Sequence, residues 1–278
     1  MKIPITKFAE LRRYAESFAA GKLNLVVITS EAGLGKSTLM GRALNGRGHI
    51  IDGGGGMSAL GLYTELYENQ DKPILIDDID KLYTDTACIR LLKALTQTER
   101  RKVLAWHTFN RGADSYPPNE FSTTSPVCIV ANEFLISNAN TRAIADRGVL
   151  IEFNPPPDEV HLEAGKWCDD TEVYDYIGSR MDSIVTHSFR AYYVASQLHA
   201  AGHDWKAVLQ ATWSEHIELI ALRDVHRDPS LNTSDKRIVT WCARTGLSRK
   251  TYYRLCAQYP HVAKVRAYGS TAKKLVMA

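Results

Sequence analysis

Two short segments carry residue types that could do chemistry together: SEAGLGKST at positions 30 to 38 and ILIDDID at positions 74 to 80. Glycines at 33 and 35 allow backbone N–H groups to turn toward a common point, and Lys36 adds an ammonium at the start of the following segment. That combination suits the oxygens of a polyphosphate. Ser30, Gly33, Leu34, Gly35, Lys36, Ser37 and Thr38 are therefore the candidate phosphate-loop residues. The Ser37 hydroxyl and the Asp77 carboxylate are hard oxygen donors of the kind that share a Mg2+ ion, and Asp78 is placed to orient or deprotonate an attacking water. Two departures from the pattern G-x-x-x-x-G-K-[ST] followed by an acidic pair stand out. Ser30 replaces its first glycine, and Asp78 has a shorter reach than a glutamate at that place would, which points to slow hydrolysis.

The loop needs a strand before it and a helix after it, and the sequence supplies both. LNLVVITS (23 to 30) is a continuous, largely β-branched apolar run, as in a strand buried on both faces of a parallel sheet. Further strands are expected at HIID (49 to 52), PILIDD (73 to 78), PVCIVAN (126 to 132) and GVLIEF (148 to 153), with helix-compatible stretches between most of them. A helix over 7 to 20 leads in, with Phe8, Leu11, Tyr14, Ala15 and Phe18 at helical spacing. Three prolines at 155 to 157 close the alternation. From there to His226 only amphipathic stretches occur, at 158 to 168, 170 to 181, 187 to 200 and 204 to 225.

Taken in order, the phosphate loop (Walker A), the acidic strand end (Walker B), a strand ending in Asn132 and the run AIADRGVLIEFNPP resemble the AAA+ superfamily of oligomeric P-loop ATPases. The match runs roughly from Leu23 to Asn154. The resemblance implies ATP and Mg2+ as ligands, Asp77 in the metal shell, and Asn132 as the sensor 1 side chain that positions water. It also implies an arginine finger reaching a neighbouring subunit, for which Arg147 and Arg142 are rival candidates, and hence self-assembly into a hexameric ring or a filament. The helical segment after the prolines resembles the AAA+ lid, with Arg190 as its sensor 2 candidate. Gly53 to Gly56 with Met57 is either a pore loop or a plain turn. The stretch 103 to 121 fits an inserted β-hairpin, where Trp106, His107 and Arg111 either contact DNA or pack.

Charge is distributed unevenly. From Leu231 to Ala278 there are ten basic residues and one acid, a net +9, which leaves −6 on the first 230 residues. A basic segment of this kind suits an anionic partner, nucleic acid above all. Within it, IVTWCARTGLSRKTYYRLCA (238 to 257) fits a helix-turn-helix template, with Cys242 small, Gly246 in the turn, and Leu247, Tyr252 and Leu255 facing inward. Ser248 would cap the second helix, and Arg249, Lys250, Tyr253 and Arg254 would face a major groove. VAKVRAY and AKKLVM suit a wing whose Lys273 and Lys274 meet phosphates.

The expected fold is thus α/β: a parallel five-stranded P-loop NTPase (AAA+) core, an all-α lid and a small C-terminal winged helix-turn-helix. The expected divisions are an N-terminal helix at 1–22, the nucleotide-binding domain at 23–157, the lid at 158–228 and the basic domain at 229–278. The expected role is that of a replication initiator, a helicase or helicase loader, or a transposition regulator of the kind found on phages, plasmids and other mobile elements, with a nucleotide-gated DNA-binding transcriptional switch as the alternative. The expected partners are further copies of this chain, DNA, and a replication or transposition protein. No run is long and apolar enough for a membrane span, and the first residues lack a secretory layout, so a cytoplasmic, nucleoid-associated protein of a bacterial or phage-infected cell is expected. The five cysteines are scattered without a CxxC pair and read as reduced packing residues.

Overall fold

The computed structural model describes residues 2–52, 57–77, 85–106, 116–132, 134, 139–181, 187–213 and 217–259. These fall into two compact units, residues 1–155 and 156–278.

In the first unit the elements are β1 (Lys2–Ile5), α1 (Phe8–Ala19), β2 (Leu25–Thr29), α2 (Lys36–Leu44), β3 (His49–Asp52), α3 (Ala59–Glu68) and β4 (Ile74–Asp77). They continue as α4 (Thr86–Leu95), β5 (Lys102–Ala105), β6 (Glu120–Thr123), β7 (Val127–Ala131), α5 (Ala139–Ala145) and β8 (Val149–Phe153). Over the described residues, six strands form one sheet in the order β1-β8-β2-β7-β4-β3, with every neighbouring pair parallel. β2 and β7 lie inside the sheet, which is why LVVI and VCIV are buried without alternation. All five strands expected from the sequence are present.

The sixth strand is the difference from that expectation. KIPI, at the head of what reads as a helical leader, pairs with β8 from Lys2 opposite Leu150 to Ile5 opposite Phe153. Four residues interrupted by a proline give almost no local strand signal. Pro4 is tolerated because β1 is an edge strand and needs no ladder donor on its free side. Ile5 is fully buried, and Phe8 meets Phe153 edge-on at 4.9 Å, so the short strand anchors α1 onto the sheet.

β5 and β6 form a separate antiparallel pair, from Lys102 opposite Thr123 to Ala105 opposite Glu120. Its base rests on α3 through an aromatic group: Phe121 lies 5.2 Å from Tyr63 and 5.4 Å from Tyr67. Trp106 is partly buried, 6.0 Å from Tyr63, so it packs. His107 and Arg111, like Gly53 to Gly56, lie outside the described residues. Cys88 and Cys128 are core residues, and burial pushes the Cys88 thiol up and that of Cys128 well up from the ordinary range.

The second unit is helical throughout its described residues: α6 (Pro157–Ala164), α7 (Thr171–Ser179), α8 (Phe189–Ala200), α9 (Trp205–Trp213), α10 (Ile217–Arg227), α11 (Ser234–Thr245) and α12 (Arg249–Gln258). The stretch 204 to 225, which reads as one amphipathic segment, is two helices serving two cores. Trp205 and Leu209 of α9 are buried with Val173, Ile177 and Tyr192, whereas Leu219, Leu222 and Val225 of α10 are buried with Ile238, Trp241, Tyr252 and Leu255. Among the described residues no helix is long and apolar enough to cross a membrane.

Candidate functional site

The phosphate loop leaves the C-terminal end of β2. Gly33 and Gly35 have φ of +79° and +70°, a left-handed region that a side chain at Cβ disfavours, so the two glycines are what the loop requires. Gly35 is the N-cap of α2, and Lys36 is its first residue. The helix therefore turns its first N–H groups and its positive dipole end toward the loop. Leu34 is 4% exposed and anchors the loop in the core, while Thr38 faces solvent. Ser30 is buried, and its hydroxyl donates to the Glu31 carbonyl at 2.9 Å. A hydroxymethyl group thus fits where the common pattern has glycine.

Lys36 is 6% exposed, and its Nζ donates to the Ser30 and Glu31 carbonyls at 2.9 Å each and to Asn132 Oδ1 at 3.3 Å. Sheet order explains the third partner. β7 lies between β2 and β4, with Ala131 opposite Thr29 and Asp77 opposite Val130, so the chain emerging from β2, Asn132 and Asp77 share one edge of the sheet. Ser37 Oγ donates to Asp77 Oδ1 at 2.8 Å. Two sequence-distant motifs, forty residues apart, are thereby in direct contact. A hydroxyl and a carboxylate oxygen at this separation, beside an ammonium and a helix N-terminus, form a donor set that fits a divalent cation bound with phosphate oxygens.

Asp78 lies outside the described residues. One acid that the sequence pattern did not single out is Asp52, at the C-terminal end of HIID and in register with Asp77 on the neighbouring strand. An acid at the tip of a strand next to the acidic pair was the available signal, and it needed the strand order to be read.

The two finger candidates differ. Arg147 is half-buried, and its Nη1 donates to the Lys93 carbonyl at 2.7 Å, satisfying an otherwise open group in the last turn of α4. Lys93 Nζ in turn reaches Asn140 Oδ1 at 3.2 Å, which ties the end of α4 to α5. Arg142, in the last turn of α5, is exposed and makes no ion pair among the described residues.

In the second unit, Arg190 is an exposed residue in the first turn of α8, where Ser188 caps the helix by accepting from the Arg190 backbone N–H at 3.1 Å. α11 ends at Gly246, whose φ of +72° closes the helix through a bond from its N–H to the Cys242 carbonyl. Ser248 caps α12 by accepting from the Thr251 N–H at 3.3 Å. Tyr252 and Leu255 are buried, and Trp241 is fully buried with its Nε1 donating to the Glu218 carbonyl of α10 at 2.8 Å. Arg249, Lys250, Tyr253 and Arg254 occupy the opposite, exposed arc of α12. Leu247 corrects an expectation: it is 40% exposed rather than inward, because the left-handed turn at Gly246 and the cap at Ser248 direct the linking residue outward. Asp235 of α11, the one acid of the basic segment, bonds Arg249 at 2.7 Å. Lys273 and Lys274 lie outside the described residues.

No protein-family model matches this chain, and no curated protein matches it. Among solved structures it is similar to the Thermotoga maritima RuvB Holliday junction branch migration motor, at 14% identity and a TM-score of 0.46 over 91% of this chain and 88% of that one. It is also similar to a DNA replication initiation factor, at 13% identity and a TM-score of 0.41 over 88% of this chain and 80% of that one. A third is JCV helicase, at 12% identity and a TM-score of 0.35 over 91% of this chain and 61% of that one. Likeness at this level carries no argument about activity, and the functional reading rests on the site itself.

Proposed function

We propose that this chain is a DNA-associated ATPase of the AAA+ type, which binds ATP with Mg2+ in the first unit, assembles with further copies of itself, and holds DNA with the basic helix pair of the second. The observation that carries the reading is the convergence at the end of the sheet: Ser37 on Asp77 at 2.8 Å, and Lys36 between the loop carbonyls and Asn132. Chance would not bring a glycine loop, an ammonium, a hydroxyl, a carboxylate and a strand-end amide together from three neighbouring strands.

Each residue has a task in that reading. The backbone of Gly33 to Gly35 and the N-terminus of α2 cradle the phosphates, and Lys36 leaves its carbonyl partners to neutralise the terminal ones. Ser37 and Asp77 would hold Mg2+, which when bound supplies charge neutralisation on the phosphate oxygens. Asn132 orients water, with Asp78 as the base. Arg142 is the better finger candidate, because its guanidinium is exposed and makes no ion pair among the described residues, while that of Arg147 is engaged in its own subunit. Arg190 serves as the lid arginine. In the second unit, α11 and α12 act as a helix-turn-helix that presents Arg249, Lys250, Tyr253 and Arg254 to a major groove.

The test combines turnover with sizing. Phosphate release is measured with and without duplex DNA, and mass by light scattering with and without a non-hydrolysable ATP analogue. DNA-stimulated turnover that Lys36→Ala abolishes, with mass rising on analogue addition, is the expected result. A chain that stays monomeric throughout refutes the assembly part, and one that binds no nucleotide refutes the whole. A second reading, a nucleotide-gated DNA-binding switch, is favoured by the short Asp78; negligible turnover together with ATP-gated duplex binding would select it.

A further inference from the structure

Asp235 is the single acid between Leu231 and Ala278, among ten basic residues. It lies in the first turn of α11, and its Oδ1 accepts from Nη2 of Arg249, fourteen positions later, at 2.7 Å. The Arg249 and Asp235 side chains are 61% and 84% exposed, so the pair contributes little to folding stability. Nor is Asp235 needed as the cap of α11, since Thr233 already accepts from the Lys236 N–H. What the pair does is favour one direction for one guanidinium.

Arg249 is the first residue of α12. In a helix-turn-helix the N-terminal residues of the second helix are those that reach base edges. An arginine has a rigid fork of five donors, and the bond to Asp235 engages one nitrogen while leaving the rest of the fork open. Holding that long side chain in one geometry removes ordering cost from any later contact. Lys250 and Arg254 share the exposed arc and make no ion pair among the described residues. A carboxylate at this place also repels phosphates of every sequence, which lowers indiscriminate attraction while fixing the one arginine.

We propose that Arg249 is the base-reading residue of this helix pair, oriented by Asp235 to take the O6 and N7 acceptors of a guanine in the major groove, while Lys250 and Arg254 contact phosphates. The inference rests on the DNA reading above and deepens it. Asp235 is a positioning residue and Arg249 the specificity-determining one.

The experiment uses the full chain. Duplexes are enriched from a random-sequence pool, and wild type, Asp235→Ala, Asp235→Asn and Arg249→Ala are titrated against the enriched duplex and against copies with each G·C pair replaced in turn. Wild type is expected to discriminate by about tenfold or more at one G·C pair, the order expected of a bidentate arginine contact. Asp235→Ala and Arg249→Ala lose discrimination at that same pair, Asp235→Asn keeps part of it, and Asp235→Ala binds unrelated duplex at least as well as wild type. Circular dichroism checks that the helices persist. Asp235→Ala tightening all duplexes equally, with every discrimination intact, overturns the inference and leaves DNA binding standing, as does wild-type binding without sequence preference. If no duplex is enriched and no salt-dependent binding is seen, the DNA reading falls and this inference with it.

Discussion

Lys102 sits at the start of β5 with none of its side chain exposed, and its Nζ donates to the Ser125 carbonyl at 2.6 Å. Burial pushes the ammonium down from the ordinary 10.5 to about 8. Below about pH 8 the folded chain must keep a buried charge, and the drop from 10.5 at 1.36 kcal/mol per pH unit amounts to about 3 kcal/mol of lost stability. Between about pH 8 and 10.5 the unfolded chain binds a proton that the folded chain does not, so stability rises with pH across that window and levels off above it. Lys102→Met removes the charge but also the bond to Ser125, a loss of about 1 kcal/mol. The variant should therefore be about 2 kcal/mol more stable than wild type at neutral pH and about 1 kcal/mol less stable above the upper end of the window. Urea unfolding followed by circular dichroism, run on both proteins from neutral to alkaline pH, yields the difference curve, in which other titrating groups cancel. A flat difference, or a variant less stable at neutral pH, would show that this lysine is not held charged in a dry site.

Three further predictions concern the site and the helix pair. Ser37→Ala and Asp77→Asn should each remove the Mg2+ dependence of ATP binding while costing the fold only about 1 kcal/mol, as read by a fluorescent-nucleotide titration with Mg2+ or chelator; an unchanged Mg2+ response would sink the metal assignment. Arg147→Ala should destabilise the first unit by about 1–2 kcal/mol by leaving the Lys93 carbonyl without its donor, whereas Arg142→Ala should stay within about 0.5 kcal/mol yet abolish turnover, so thermal melts and phosphate release on both variants separate the cap from the finger. Gly246→Ala forces a Cβ into φ of +72° and should cost about 1 kcal/mol, similar to the roughly 1 kcal/mol from uncapping α12 in Ser248→Ala, both visible in melts of the helical signal.

Much of this was legible before any coordinates. Continuous apolar runs declare strands buried on both faces, which is why the cores of LNLVVITS and PVCIVAN match β2 and β7 closely. Gly33, Gly35 and Gly246 were readable because only a residue without Cβ enters a left-handed turn at no cost. KIPI was not legible, since four residues with a proline become a strand only when β8 offers a partner. Leu247 was misread because a helix-turn-helix template fixes spacing but not the direction in which a three-residue link turns.

The sequence by itself determined the chemistry available: a glycine loop with Lys36 and Ser37, acids at 77 and 78, an amide at 132, and positive charge concentrated beyond residue 231. Those are local properties, set by residue type and by φ preferences that act over a few positions. Only the tertiary structure decided which groups meet. Sheet order put Asn132 and Asp77 beside the loop, the approach of β8's leading turn to α4 committed Arg147 to the Lys93 carbonyl, and closure of α11 onto α12 brought Asp235 to Arg249. The reason is one of range: hydrogen bonds and charges act within a few ångströms, while the residues that make them lie fourteen to ninety-six positions apart in the chain.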